Sequence, residues 1–132
     1  MKYRLAEGAT DYTLCRELMA GEGFPDQEID FPTVMAIDDD SEVVGLLATT
    51  PSPDAVLAGP LVMRHDKRRP FTAIQLIELY ELTMRGLGIH EVIFWTANDS
   101  FLHRGLGRYF SNLTPYAVED GKQFYNWPVS RG

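Results

Sequence analysis

Leu61-Val62-Met63-Arg64-His65-Asp66-Lys67-Arg68-Arg69-Pro70-Phe71-Thr72-Ala73-Ile74-Gln75-Leu76 decides how this chain is read. An apolar strand-like run enters a basic turn, and the turn enters a long helical pattern. Proline at 70 suits the first helical position, where its missing N–H costs no hydrogen bond. The amides that open a helix point outward without intrahelical partners, and the helix dipole favours negative charge there. Arg64, Lys67, Arg68 and Arg69 are four of the twelve Lys/Arg residues in a chain whose formal charge is -7. Strand, cationic turn and helix start together make an anion site suited to a phosphate-bearing ligand. The plainer alternative is a solvated basic turn.

Outward from this stretch the pattern is mixed. Lys2 to Ala6 reads as a strand, with Tyr3 and Leu5 alternating against polar neighbours. Thr10 or Asp11 caps a helix to about Ala20, with Leu14, Leu18 and Met19 as its apolar stripe. Residues 22–32 are irregular around Pro25 and Pro32, with a short helical turn at Gln27 to Ile29. Thr33 to Ile37 and Glu42 to Thr49 form a hairpin, and Asp38-Asp39-Asp40 is its solvated turn rather than a metal site. Ala55 to Met63 is a further strand, in which Gly59-Pro60 marks a bulge or a close backbone approach.

The helix after the basic turn runs from Pro70 to about Arg85. Ala73, Ile77, Tyr80 and Met84 form its stripe, widened by Ile74, Leu76, Leu79 and Leu82, and Gln75, Glu78, Glu81 and Arg85 form its wet face. Glu91 to Thr96 is a strand. Asn98 or Asp99 caps a last helix to about Phe110, and Tyr116 to Val118 with Lys122 to Trp127 make a closing hairpin around Glu119-Asp120-Gly121. The element order gives an α+β (mixed α/β) class, a mixed sheet with helices on its faces.

Composition sets the outer bounds. A chain of 132 residues suits one domain, spanning 1–132, with a real core. No apolar run approaches bilayer length, and the first residues lack the apolar segment of a signal peptide. One cysteine, Cys15, excludes an internal disulfide, and its place on a helix stripe predicts a buried thiol. A cytoplasmic protein with no membrane and no nucleic-acid partner is expected, since nucleic-acid binding favours a basic domain. The histidines lack metal-ligand spacing, and no Walker motif, dinucleotide glycine fingerprint or nucleophile elbow is present.

The order of elements, with a cationic turn between the fourth strand and the long helix, resembles the GNAT superfamily of acyl-CoA N-acyltransferases. The resemblance covers most of the chain in element order and is concentrated in residues 61–76 in sequence. The family's phosphate loop has Arg or Gln, two variable residues, Gly, one variable residue, then Gly or Ala. Arg68 and Ala73 match it; Phe71 replaces the central glycine, and Pro70 removes one backbone donor. The resemblance implies a central, mostly antiparallel sheet of about six or seven strands flanked by about three or four helices.

It also implies acetyl-CoA as cofactor, its arm along Leu61, Val62 and Met63. Its phosphates would meet Arg64, Lys67, Arg68, Arg69 and the amides of Arg69, Phe71, Thr72 and Ala73, with the Thr72 hydroxyl. Phe71 can offer its amide only if its ring points away. The Gly59-Pro60 bulge would splay this strand from the one at 92–96. Asn98 stands where the family often has an asparagine facing the cofactor, and helix capping explains it equally well. Met63 or Arg64 would supply the amide that polarises the thioester carbonyl. Tyr109 would protonate the leaving thiolate, with Tyr116 as the second choice and core packing as the alternative. No general base stands out among Glu42, Asp54, His65 and His103.

The acceptor would be an amine-bearing small molecule or protein, and a homodimer is possible in this class. Glu22, Asp26, Glu28 and Asp30 on the irregular segment could attract a cationic amine or simply be solvated. Three functions stay open. One is an N-acetyltransferase, one a catalytically inactive binding or regulatory module of the same fold, and one a phosphate- or nucleotide-binding regulator of another fold.

Overall fold

The structure is a computed structural model that describes residues 1–97 and 117–129. Its elements in chain order are β1 (Lys2–Leu5), α1 (Gly8–Gly21), β2 (Asp30–Ile37), β3 (Val43–Thr50), β4 (Leu57–Met63), a 3-10 turn (His65–Lys67), α2 (Pro70–Gly86), β5 (Glu91–Ala97), β6 (Ala117–Glu119) and β7 (Lys122–Pro128). The expected helix from Asn98 to Phe110, and with it Tyr109, His103 and Tyr116, lies outside the described residues. The seven strands form one sheet in the order β1-β2-β3-β4-β5-β7-β6. Every pairing is antiparallel except β4 with β5. This is the mixed sheet that the element order predicts, mostly antiparallel as the resemblance implies.

β2, β3 and β4 are buried on both faces, and their runs are accordingly apolar without alternation. On one face Ala73, Leu76, Ile77, Tyr80 and Met84 of α2 meet Val34, Leu47, Leu61 and Met63. Under the same face β5 and β7 contribute Phe94 and Trp127, with Trp127 stacked on Tyr80 at 5.6 Å between ring centroids. On the other face Cys15 and Met19 of α1 meet Met35, Leu46, Ala48 and Val62. Burial of Cys15 pushes its thiol pKa up to about 12.

Three details depart from the pattern reading. α1 begins at Gly8 rather than after Thr10, and its buried stripe is Asp11, Cys15 and Met19, while Leu14 is exposed. Asp11 turns inward because its carboxylate holds Arg4 (2.7 and 3.2 Å) and accepts the Glu7 amide (2.7 Å) at the helix start. In α2, Leu82 is exposed and Glu81 is buried, which rotates the apolar face by one position at that turn. No helical turn forms at Gln27–Ile29; the chain there has no regular secondary structure and enters β2 at Asp30.

Both hairpins form where expected. Asp38 Oδ1 accepts the amides of Asp40 and Glu42 at 3.0 Å each, so this acid organises the β2–β3 turn from within. Asp120 (φ 49°) and Gly121 (φ 75°) give the β6–β7 turn its two left-handed residues.

Candidate functional site

The site is built on the two edges of β4. Toward β3 the ladder runs along the strand, from Thr50 opposite Leu57 to Gly45 opposite Met63. It is interrupted once: Thr49 faces Ala58 but Leu47 faces Leu61, so β4 carries one extra residue at Gly59-Pro60. This is the expected bulge. Toward β5 only Leu57–Ile93 and Ala58–Phe94 are in register, with the Ile93 amide donating to Val56 O at 2.9 Å. Among the described residues no β4–β5 pair follows Ala58–Phe94.

The bulge decides which backbone groups face that opening. The Arg64 amide donates to Val44 O at 2.8 Å. Groups two residues apart on a strand point the same way, so Val62 and Arg64 address β3, while the N–H and C=O of Leu61 and Met63 point toward β5. Of the two amides expected to polarise a carbonyl, that of Arg64 is spent on the sheet and that of Met63 points toward the β5 side. Val62 is likewise turned away from the opening, and its side chain packs beneath α1.

The basic turn divides its charges. The Arg64 guanidinium binds Asp66 (2.7 and 3.2 Å) and Glu42 (2.8 Å), and this holds the Asp66 carboxyl below the ordinary carboxylate range. Arg64 and His65 line an open groove of about 540 Å³ with Leu14, Glu17, Leu18 and Glu22 of the α1 side. The Glu22 side chain, 8% exposed, bridges His65 Nδ1 (3.2 Å) and an Arg68 guanidinium nitrogen (3.3 Å). Arg68 also donates from Nε to Met63 O at 3.4 Å, which places this guanidinium at the mouth of the β4–β5 opening. Lys67 and the exposed Arg69 enter no ion pair among the described residues.

Arg69 is the N-cap of α2 and makes no side-chain cap bond. The first helical bond is from the Ala73 amide to Arg69 O at 3.2 Å. The amides of Arg69, Phe71 and Thr72 thus have no acceptor within the helix, and Pro70 has none to offer. The Phe71 ring is 67% exposed and turned away, which leaves its amide unobstructed by its own side chain. Thr72 and Ala73 are buried as whole residues and the Ala73 amide is spent on Arg69 O, so the surface at the helix start is presented by Arg69, Pro70 and Phe71, not by the Thr72 hydroxyl or the Ala73 amide expected from the sequence. Asn98 and Tyr109 lie outside the described residues. Of the proposed bases, Glu42 is committed to Arg64 and His65 to Glu22.

One group escaped the pattern reading. Trp95 lies over Gly59, where a Cβ would meet its Nε1 and its carbonyl oxygen at 2.8 Å each. The indole donates to Thr50 Oγ1 (2.9 Å), and that hydroxyl donates to Gly59 O (2.8 Å). The glycine in a strand signals close approach, but nothing in a linear pattern says which side chain approaches it.

The backbone was compared with solved structures. An aminoglycoside 6'-acetyltransferase type Ii superposes with a TM-score of 0.74 over 100% of this chain and 99% of its own, at 16% identity. A GNAT family N-acetyltransferase from Escherichia coli, solved in complex with CoA, gives 0.69 over 98% of this chain and 81% of its own, at 19% identity. The chain has the GNAT fold. A third GNAT-fold neighbour, the aminoglycoside 6'-N-acetyltransferase from Enterococcus faecium, gives 0.71 over 100% and 99% at 12% identity. No protein-family model and no curated protein matches the sequence. The likeness is therefore one of backbone, at 12–19% identity.

Proposed function

We propose that this chain is an N-acetyltransferase that moves an acetyl group from acetyl-CoA directly to an amine, acting in the cytoplasm. One observation carries the reading. Among the described residues β4 has no β5 partner after Ala58, and its C-terminal end leads into a cationic turn and a helix start whose first amides have no acceptor in the helix. Unpaired backbone inside a sheet is costly unless something else pairs with it. The Met63 amide suits the acyl end of an extended arm, and a diphosphate suits Arg69, Arg68 and the Phe71 amide. Solved neighbours in complex with CoA support this choice of cofactor.

The cofactor supplies an acyl thioester, activated toward nucleophiles. The Met63 amide is aimed to donate to the thioester carbonyl as negative charge grows on its oxygen. An attacking amine forms the new C–N bond, the C–S bond breaks, the nitrogen loses a proton and the departing sulfur gains one. Tyr109 is proposed as the proton donor to sulfur. The acceptor is proposed to be an amine-bearing small molecule or a protein amine, a class to which the aminoglycoside enzymes among the neighbours belong.

A second reading, a cofactor-binding module without turnover, is favoured by Pro70 and Phe71, which take one amide and one glycine from the phosphate loop. The test separates the two. Acetyl-CoA at saturation is expected to raise the melting temperature by about 5 °C or more. Release of free thiol with an aminoglycoside, a polyamine or a lysine peptide then marks an enzyme; a shift without release marks the module. Replacing Arg68 and Arg69 with Glu is expected to abolish the shift, and its survival would remove the phosphate site.

A further inference from the structure

We infer that Glu22 is a positioning residue of the phosphate site: it fixes the Arg68 guanidinium at the C-terminal end of β4. The inference rests on the reading above in which Arg68 meets a cofactor's diphosphate. The sequence offers Glu22, Asp26, Glu28 and Asp30 as acids that attract an amine or are merely solvated. The structure separates the first of them from the rest. Asp26, Glu28 and Asp30 are exposed, whereas the Glu22 side chain is 8% exposed and reaches Arg68 of the basic turn, 46 positions along the chain. Its backbone is fixed by the end of α1. The Glu22 amide closes that helix on Leu18 O and Met19 O (3.1 Å each), and the Phe24 amide donates to Met19 O (2.8 Å).

A buried carboxylate is costly unless cations pair with it. Glu22 Oε2 lies 3.2 Å from His65 Nδ1, and Oε1 lies 3.3 Å from an Arg68 guanidinium nitrogen. The His65 side chain is 78% exposed, so solvent screens that pair, and the permanent charge of Arg68 is the principal partner. Seen from Arg68, the arrangement has two fixed points. Its Nε donates to Met63 O and a terminal nitrogen donates to Glu22, so one acceptor on β4 and one at the end of α1 set the plane of the guanidinium. An arginine side chain without such support has to be ordered when its ligand arrives, and that ordering weakens binding. Glu22 does the ordering beforehand, within the fold. Its own negative charge also repels a phosphate, but Arg68 already balances that charge, so orientation outweighs repulsion. The exposed Arg69 next to it has no ion pair among the described residues to hold it in the same way.

The test is calorimetric binding of acetyl-CoA to the full chain, with melting temperature measured for each protein. The set is the wild type, Glu22→Ala, Glu22→Gln, Arg68→Gln and the double variant of Glu22→Ala with Arg68→Gln. Glu22→Ala is expected to weaken binding about fivefold, a coupling ordinary for residues in contact. In the Arg68→Gln background the same change is expected to cost less than about twofold, because the side chain it positions is gone. Glu22→Gln, whose amide oxygen still accepts from Arg68, is expected to stay within about twofold of the wild type. A merely structural role would lower the melting temperature and weaken binding equally in both backgrounds, and that result overturns the inference. So does a Glu22→Ala protein that binds as tightly as the wild type or more tightly. Should Glu22→Ala not fold, Glu22→Asp takes its place, since it keeps the charge and shortens the reach. It is expected to bind more weakly than Glu22→Gln, and the reverse order overturns the inference. A wild type that does not bind acetyl-CoA, or an Arg68→Gln protein that binds it unchanged, strikes the phosphate site itself and the inference with it. A loss in Arg68→Gln without one in Glu22→Ala strikes only the role of Glu22.

Discussion

The two edges of β4 are made by the same seven residues, yet they behave as opposites. Its β3 edge is laddered from Leu57 to Met63 with a single bulge, and among the described residues its β5 edge is paired only at Leu57 and Ala58. Side chains do not explain the difference, because β4 is buried along nearly its whole length. The backbone does. One extra residue at Gly59-Pro60 reverses which carbonyls and amides point which way, so the groups of Leu61 and Met63 face the β5 side, where no described residue pairs with them. A sheet can thus be fully committed on one side of a strand and open to a ligand on the other, and the turn that follows concentrates positive charge at the open side.

The strongest challenge to this contrast is Gly59→Val. The glycine sits at φ 143°, and any Cβ would lie 2.8 Å from the Trp95 carbonyl and indole nitrogen. Backbone strain and overpacking together should cost about 3–5 kcal/mol, on the order of 10 °C in melting temperature, and should abolish the acetyl-CoA shift. A Gly59→Val protein with wild-type melting and binding would show that the bulge does not organise the opening.

The charges of the turn sharpen the comparison next. Arg69→Gln is expected to weaken acetyl-CoA binding about tenfold, as the loss of a charge-assisted phosphate contact does. Arg64→Gln should change it by no more than about twofold, since Arg64 faces the β3 side with Asp66 and Glu42. Calorimetry on both variants decides, and equal losses would erase the division of the turn.

Smaller effects test the covered side. Asp11→Asn should cost about 1 kcal/mol in denaturant unfolding, a modest figure because its partner Arg4 is half exposed to screening solvent. Arg4 first, and then the Glu7 amide, lower the Asp11 pKa in the folded chain below its ordinary value of 3.8. Its contribution is therefore present above about pH 4 and is lost as pH falls through the folded value. Cys15 gives the alkaline counterpart. The folded thiol titrates near 12 and the unfolded one near 9.0, so stability is intact below pH 9 and declines above it, by on the order of 1 kcal/mol at pH 10. Cys15→Ala should flatten that decline, and a thiol reagent at pH 8 should label only unfolded chain. Rapid labelling of the native protein would place Cys15 at a surface rather than under α1.

Much of this was legible along the chain. The element order, both hairpins, the helix start at Pro70 and the bulge at Gly59-Pro60 follow from local signals: periodicity, turn residues and breakers. The outward Phe71 ring was only a condition in the sequence, and the burial of Thr72 was not foreseen there. What pattern could not supply were pairings between distant residues. Glu81 and Asp11 look like solvent-facing acids, and Leu14 and Leu82 look like core, because each helix was read against an ideal face. Asp11 is buried by its tie to Arg4 on β1, which no period within α1 contains.

The amino-acid sequence by itself determined a mixed sheet, a cationic turn and a helix N-terminus in direct succession, because each depends on residues within a few positions of one another. Only the tertiary structure decided that Met63 rather than Arg64 faces the opening, that Arg64 is bound to Glu42 and Asp66, and that Trp95 crosses Gly59 to reach Thr50. Those outcomes turn on which strand lies beside which, and on a one-residue parity change in the ladder. Both are set by the packing of the whole sheet and by no segment of it alone.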